Sequence, residues 1–178
     1  MAPQVTVAEV RSGADLEAVR DLCRAFRNAQ CVLYAHEIDM VEAQYGEAAF
    51  EEILSTLPER HARPGGIILL ARVSGAPAGC VMLTRIDDAT CEMKRMFVDP
   101  AFRRKGVGRA LATVVIDAAR KRGFSRMRLD TGPLQHAAVA LYRALGFRDR
   151  DPYEEDGPKW PNKVFMDLDL RNPTPGEV

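Results

Sequence analysis

Much that would place a protein quickly is missing from these 178 residues. Lysine plus arginine total 25 and aspartate plus glutamate total 25, so no net charge draws the chain to nucleic acid or to an anionic membrane. No apolar run approaches the roughly 20 residues that a helix needs to cross a bilayer. The four cysteines, Cys23, Cys31, Cys80 and Cys91, show no Cys-x-x-Cys spacing, and no signal peptide is evident; the expectation is reduced thiols in a cytoplasmic protein. His36, His61 and His136 stand far apart without metal-ligand spacing, so no metal site is expected. Ser12, Ser55, Ser74 and Ser125 lie outside any nucleophile-elbow context, which argues against a serine hydrolase. No Ser/Gly/Pro-rich linker divides the chain, so one domain is expected over 1–178, with its core at about 5–170 and a tail from 171.

What is present is concentrated between Cys91 and Arg122. Glu92 to Val98 lacks glycine and proline and ends in apolar residues, which reads as a strand stopped by Asp99-Pro100. A basic loop follows, and then Val107, Leu111, Val114, Val115 and Ala118 recur at the spacing of one helix face, with Gly123 as its stop. At the head of that helix Gly106 and Gly108 leave backbone N–H groups uncovered where the helix dipole is positive. Arg103, Arg104, Lys105 and Arg109 crowd the same turn. The pattern describes a receptor for a multiply charged phosphate group, the alternative being a solvated basic loop. Two other phosphate loops are excluded: Gly-x-Gly-x-x-Gly/Ala breaks at Leu111, and no Gly-Lys-Ser/Thr follows the glycines.

Around this stretch the chain alternates elements. Val5–Val10 reads as a strand and Ser12 with Asp15 as a helix cap. Leu16, Val19, Leu22, Cys23 and Phe26 give the apolar face of the first helix. Residues 28–44 show no pattern, and Ala48–Leu57 reads as a second helix closed by Pro58. Ile67–Val73 and Gly79–Ile86 form a predicted hairpin around a Gly75-Ala76-Pro77 turn. After the long helix come a strand at Met127–Thr131, a helix at Gln135–Leu145, a strand from Phe147, a polar loop at Asp151–Asn162 and a last strand at Val164–Leu170. The order predicts an α/β (α+β) architecture: a mixed, mostly antiparallel sheet of six to seven strands with helices on both faces.

Arg103-x-x-Gly106-x-Gly108 resembles the signature Gln/Arg-x-x-Gly-x-Gly/Ala of the GCN5-related N-acetyltransferase (GNAT) superfamily. Met96-Phe97-Val98-Asp99-Pro100 looks like the end of that family's fourth strand, and Ala138-x-x-Leu141-Tyr142-x-x-x-Gly146-Phe147 is similar to its late helix and following strand. The resemblance implies acetyl-CoA as co-substrate. Its pyrophosphate would lie on the N–H groups from Arg104 through Val107 to Arg109, and its pantetheine arm along Met96, Phe97 and Val98. It also implies the Met96 N–H as donor to the thioester oxygen and Tyr142 as the acid that protonates the leaving thiolate. Glu92 stands where some members of the superfamily place a general base, a role that calls for partial burial or a relay water; the alternative is a strand-end glutamate paired with Lys94 or Arg85. Where many relatives have Asn seven residues before the Tyr, this chain has Gln135, a candidate contact to the cofactor arm.

The resemblance leads to transfer of acetyl to a small-molecule or peptide amine, with a non-catalytic acyl-CoA sensor as the second reading. The acceptor stays open among a free amino acid, a polyamine, an antibiotic amine and a protein N-terminus. The acidic run Asp149–Asp156 points toward a cationic one. Relatives often pair, so a homodimer is a further expectation.

Overall fold

The computed structural model describes residues 4–153 and 162–172. Seven strands form one sheet in the order β1-β2-β3-β4-β5-β7-β6. In chain order these are β1 (Val5–Glu9), β2 (Ile67–Val73), β3 (Ala76–Arg85), β4 (Thr90–Val98), β5 (Arg126–Thr131), β6 (Arg148–Arg150) and β7 (Val164–Asp169). Every neighbouring pair is antiparallel except β4 and β5, which run parallel because a helix carries the chain between them. The expected mixed, mostly antiparallel sheet is what the chain builds.

Helices cover both faces. On one lie α1 (Gly13–Leu33), α2 (Ile38–Tyr45), α3 (Glu47–Ser55) and α4 (Leu57–Arg60); on the other lie α5 (Val107–Lys121) and α6 (His136–Ala144). The α1 side packs Val19, Leu22 and Cys23 on Ile68, Leu70, Cys80 and Met82. The α5 side packs Leu111, Val115 and Ile116 on Leu69, Val81, Leu83 and Met127. β2 and β3 are therefore buried on both faces, which is why Ile67–Val73 reads as a continuous apolar run rather than an alternating one. Each of these aliphatic side chains contributes about 1.5–3 kcal/mol by leaving water. Gly79 permits the close approach of α5, since a Cβ there would lie 2.6 Å from Phe97 O and 3.1 Å from Leu111 Cδ1.

Several boundaries move for identifiable reasons. Ser12 caps α1 as expected, its Oγ accepting from Asp15 N at 3.1 Å, but the helix continues to Leu33 and residues 28–44 are largely helical. Pro58 does not close a helix: α3 ends at Ser55, and Pro58 sits in the first turn of α4, where a missing N–H costs nothing. The hairpin turn is Ser74-Gly75, both at positive φ, and Pro77 lies inside β3 beside a bulge at Ala71/Arg72 that spares its absent donor. On α5 the buried stripe is Val107, Leu111, Ala112, Val115, Ile116 and Ala119, so the predicted Val114 and Ala118 stand at its margin. Most of the expected Asp151–Asn162 loop (154–161) and of the tail (173–178) lies outside the described residues. No described helix is long and apolar enough to cross a membrane, and no described cluster of His, Cys, Asp and Glu is placed to hold a metal ion.

Candidate active site

Parallel pairing of β4 with β5 lasts for three residues, Thr90–Glu92 against Arg126–Arg128, and then the strands part. β4 stays with β3 as far as Val98, while β5 stays with β7 as far as Thr131, so a wedge opens through the sheet between them. The wedge is a cleft of about 1050 Å³. A bulge distorts its β4 wall: Lys94 lies opposite Met82 and Phe97 opposite Cys80, leaving Arg95 and Met96 both facing Val81. Arg95 takes φ +50°, a left-handed conformation that costs a non-glycine residue about 1–2 kcal/mol. Beyond Glu92 the β4 edge has no strand partner on the cleft side, so its main chain is open to an extended ligand.

One end of the cleft is the head of α5. Arg104 and Gly106 both have positive φ, at 60° and 81°, and Gly106 caps the helix without a side-chain bond. The first helical bond runs from Ala110 N to Gly106 O. The six N–H groups of Arg104–Arg109 thus have no acceptor among the described residues, and they curve into a nest at the positive end of the helix dipole. Arg103, Arg104 and Arg109 line the cleft here, none of them ion-paired to a described residue. Such a cradle holds a diphosphate through main chain first and guanidinium second.

Of the residues singled out from sequence, Met96, Phe97, Val98, Arg103, Arg104, Gly106, Val107, Gly108, Arg109, Gln135 and Tyr142 all line this one cleft. Lys105 does not: its Nζ lies over the Phe102 ring, 5.1 Å from the centroid. Tyr142 is only 6% exposed, tilted against Phe147 at 5.7 Å, and its hydroxyl makes no hydrogen bond to a described residue. Burial, helped by the Asp130 carboxylate, raises its pKa above the usual tyrosine range, so it stays protonated at neutral pH and can donate. Gln135 Nε2 donates to Gln30 Oε1 at 3.1 Å, reaching across to α1.

Glu92 is 2% exposed and does not line the cleft. Its Oε2 lies 2.8 Å from Lys94 Nζ and its Oε1 3.6 Å from Arg128 Nε, while Arg85 turns to Asp88. Of the two expectations for this residue, the geometry favours the paired strand glutamate, held by Lys94 as anticipated and by Arg128 besides. Of the acidic run, Asp149 in β6 accepts from Arg143 at 2.7 Å and lines no part of the cleft, while residues 154–156 lie outside the described residues.

The region before residue 65 supplies the opposite wall, which sequence reasoning did not resolve. Tyr45 closes it, edge-on to Phe26 at 5.6 Å and to Phe50 at 6.1 Å. Tyr34 is fully buried at the end of α1; its hydroxyl accepts from Leu134 N at 3.0 Å and lies so close to Gly132 that a Cβ there would be 2.2 Å away. Together with Gln30–Gln135 this clasps the end of α1 to the loop before α6. Asp130, the only acidic residue lining the cleft among those described, is neutralised by Lys163.

A splayed parallel strand pair beside a helix head rich in unbonded N–H groups defines a site with the shape for an extended, phosphorylated ligand against a strand edge. The chain belongs to the acetyltransferase (GNAT) family, whose model matches residues 21–147. It is 40% identical over 110 residues to an IAA acetyltransferase of Azospirillum brasilense, covering 61% of this chain and 71% of that one. Among solved structures, an acetyltransferase from Streptococcus agalactiae superposes with a TM-score of 0.71 at 22% identity, covering 93% of this chain and 98% of that one. PaiA N-acetyltransferase of Thermoplasma acidophilum, solved in complex with coenzyme A, superposes with a TM-score of 0.68 at 17% identity, covering 93% and 99%. Acetyl transfer is thus the activity of the family to which this chain belongs.

Proposed function

We propose that this chain transfers an acetyl group directly from acetyl-CoA to a primary amine. The observation that carries the reading is the alignment of three unsatisfied elements along one cleft: the N–H nest at Arg104–Arg109, the open β4 edge, and the unbonded hydroxyl of Tyr142. The cofactor supplies an activated acetyl thioester. The nest with Arg103, Arg104 and Arg109 holds the diphosphate, the main chain at Met96–Val98 pairs with the amide-bearing arm, and Gln135 closes over it.

The Met96 N–H, at the bulge in the cleft wall, takes up charge developing on the acyl oxygen as the amine nitrogen attacks. Tyr142 gives its proton to the departing sulfur as the C–S bond breaks. The amine proton leaves through water in the open cleft. Glu92, behind the wall, holds Lys94 and Arg128 in place rather than touching the amine.

Two measurements test the reading in sequence. Acetyl-CoA at 100 times its Kd should stabilise the protein by about 2.7 kcal/mol, seen as a raised melting temperature. Thiol release should then appear when a suitable amine is added. Thermal stabilisation without thiol release across a broad amine panel would identify a sensor instead; the absence of any stabilisation would remove the cofactor.

A further inference from the structure

The cleft has a second cationic end that the diphosphate site does not use. Arg95 lies at the β4 bulge, and the titratable groups nearest its guanidinium include Cys23 on α1, Tyr45 on α2 and Cys80 on β3, which belong to the α1 face of the sheet. The helix head that collects the phosphates belongs to the α5 face. Arg95 is half-buried and lines the cleft, yet its guanidinium makes no hydrogen bond or ion pair with a described residue; only its carbonyl is used, accepting from Cys80 Sγ at 3.7 Å. Other half-buried arginines on this side are answered: Arg27 reaches Tyr45 O at 2.6 Å and Glu42 at 2.9 Å, and Arg72 reaches Asp15 at 2.6 Å.

Among the described residues no carboxylate pairs with Arg95. Cys23 and Cys80 share a hydrogen bond that, with burial, pushes the Cys80 thiol well up and draws the Cys23 thiol down, and neither offers the two oxygens that a guanidinium fork takes. Burial holds Tyr45 neutral, and its hydroxyl accepts from Gln44 Nε2 at 3.2 Å. Arg60 adds positive charge, and the neighbouring Lys94 is already bound to Glu92. Desolvation lowers the pKa of Arg95, but a guanidinium keeps its proton throughout the physiological range. A half-buried charge facing a cavity in this way is a receptor for an opposite charge. The left-handed backbone at Arg95 places it there, one residue before Met96.

We propose that Arg95 binds a carboxylate on the acceptor, so that the acceptor is a free amino acid or an equally compact amino-carboxylate. This rests on the acetyl-transfer reading and narrows it. Because Arg95 and Met96 are adjacent, the carboxylate and the attacking amine belong to one small molecule. A polyamine meets the repulsion of Arg95, and a protein N-terminus has no main-chain carboxylate beside its amine. The guanidinium fork takes both carboxylate oxygens, which orients the amine as well as attracting it.

The test uses the full chain with saturating acetyl-CoA and follows thiol release with the common amino acids and with their C-terminal amides, which keep the amine and lose the anion. The best amino acid should exceed its amide in kcat/KM by about ten- to a hundredfold, on the scale of a charge-assisted bidentate contact. Arg95→Gln should collapse that ratio toward one, chiefly through the KM of the acid, and Arg95→Lys should retain part of it because a point charge lacks the fork. Should Arg95→Gln fail to fold, the Lys variant carries the test, an unchanged acid-to-amide ratio there refuting the contact. Acids and amides accepted equally by the wild type would overturn the inference and leave acetyl transfer standing. A panel in which nothing releases thiol overturns both.

Discussion

Replacing Glu92 with Gln separates two roles that a glutamate at this position could have. Its carboxylate is buried between Lys94 at 2.8 Å and Arg128 at 3.6 Å, and Arg128 itself is 11% exposed and stacked 4.2 Å from the Tyr153 ring. Removing one member of a buried pair costs about 3–5 kcal/mol because the other charge is left uncompensated. Lys94 is 38% exposed and can turn to water, so the penalty shrinks to about 2–4 kcal/mol. For a chain of this size that lowers the melting temperature by about 5–15 °C. The assay is a ligand-free thermal melt of Glu92→Gln beside Lys94→Gln, which should cost less than about 1 kcal/mol, followed by kcat/KM against pH. A strut predicts a large melting loss with the shape of the pH profile kept. A melting temperature within 2 °C of wild type, together with a lost limb in the profile, would refute the reasoning and return Glu92 to proton abstraction.

Three further outcomes follow from the same geometry. Tyr142→Phe should lower kcat by about ten- to a thousandfold while leaving the KM for acetyl-CoA within about twofold and stability nearly unchanged, since the hydroxyl has no described partner; full turnover would remove it as the acid. Burial lowers His61 to a pKa of about 4, so the fold holds a neutral imidazole while the unfolded chain takes up a proton near 6.5. Its contribution is complete above pH 6.5 and is lost as pH falls toward 4, roughly 3 kcal/mol in all; melts at pH 7 and 4.5 should show a drop that His61→Gln largely removes, and an equal drop in both proteins would refute the assignment. Gly132→Ala would press a Cβ into the Tyr34 hydroxyl and break its bond to Leu134 N, costing about 2–3 kcal/mol. In a double-mutant cycle with Tyr34→Phe the two losses should be markedly less than additive, and strict additivity would show that the side chains do not meet.

What could be read from the chain alone was what lies close together along it. The nest is contiguous, so Arg103, Gly106 and Gly108 declare it, and the apolar runs of β2 and α5 declare the layers. Other features fail for physical reasons. α2 is eight residues long with Val41 its only buried side chain, too little to impose a helical period. The far half of α1 hides because Gln30, a polar residue, occupies a buried position and is satisfied by Gln135, 105 residues away. Tyr34 looks like one more residue of an unpatterned stretch until Leu134 is brought to it. Glu92 sits at the right offset for a base, but offset cannot reveal that β5 brings Arg128 alongside. Arg95 carries no signal in sequence at all, because its meaning depends on a bulge and on a guanidinium that no described carboxylate answers.

The wedge between β4 and β5 passes through the sheet from one helical layer to the other, and this bears on the order of events. On the proposed placement, with the nucleotide end beside α5 and the acceptor at Arg95 toward α1 and α2, each reactant would have its own doorway. That placement predicts a ternary complex, in which occupancy of one entrance leaves the other free. Initial-rate lines at several fixed concentrations of the second reactant should therefore intersect rather than run parallel.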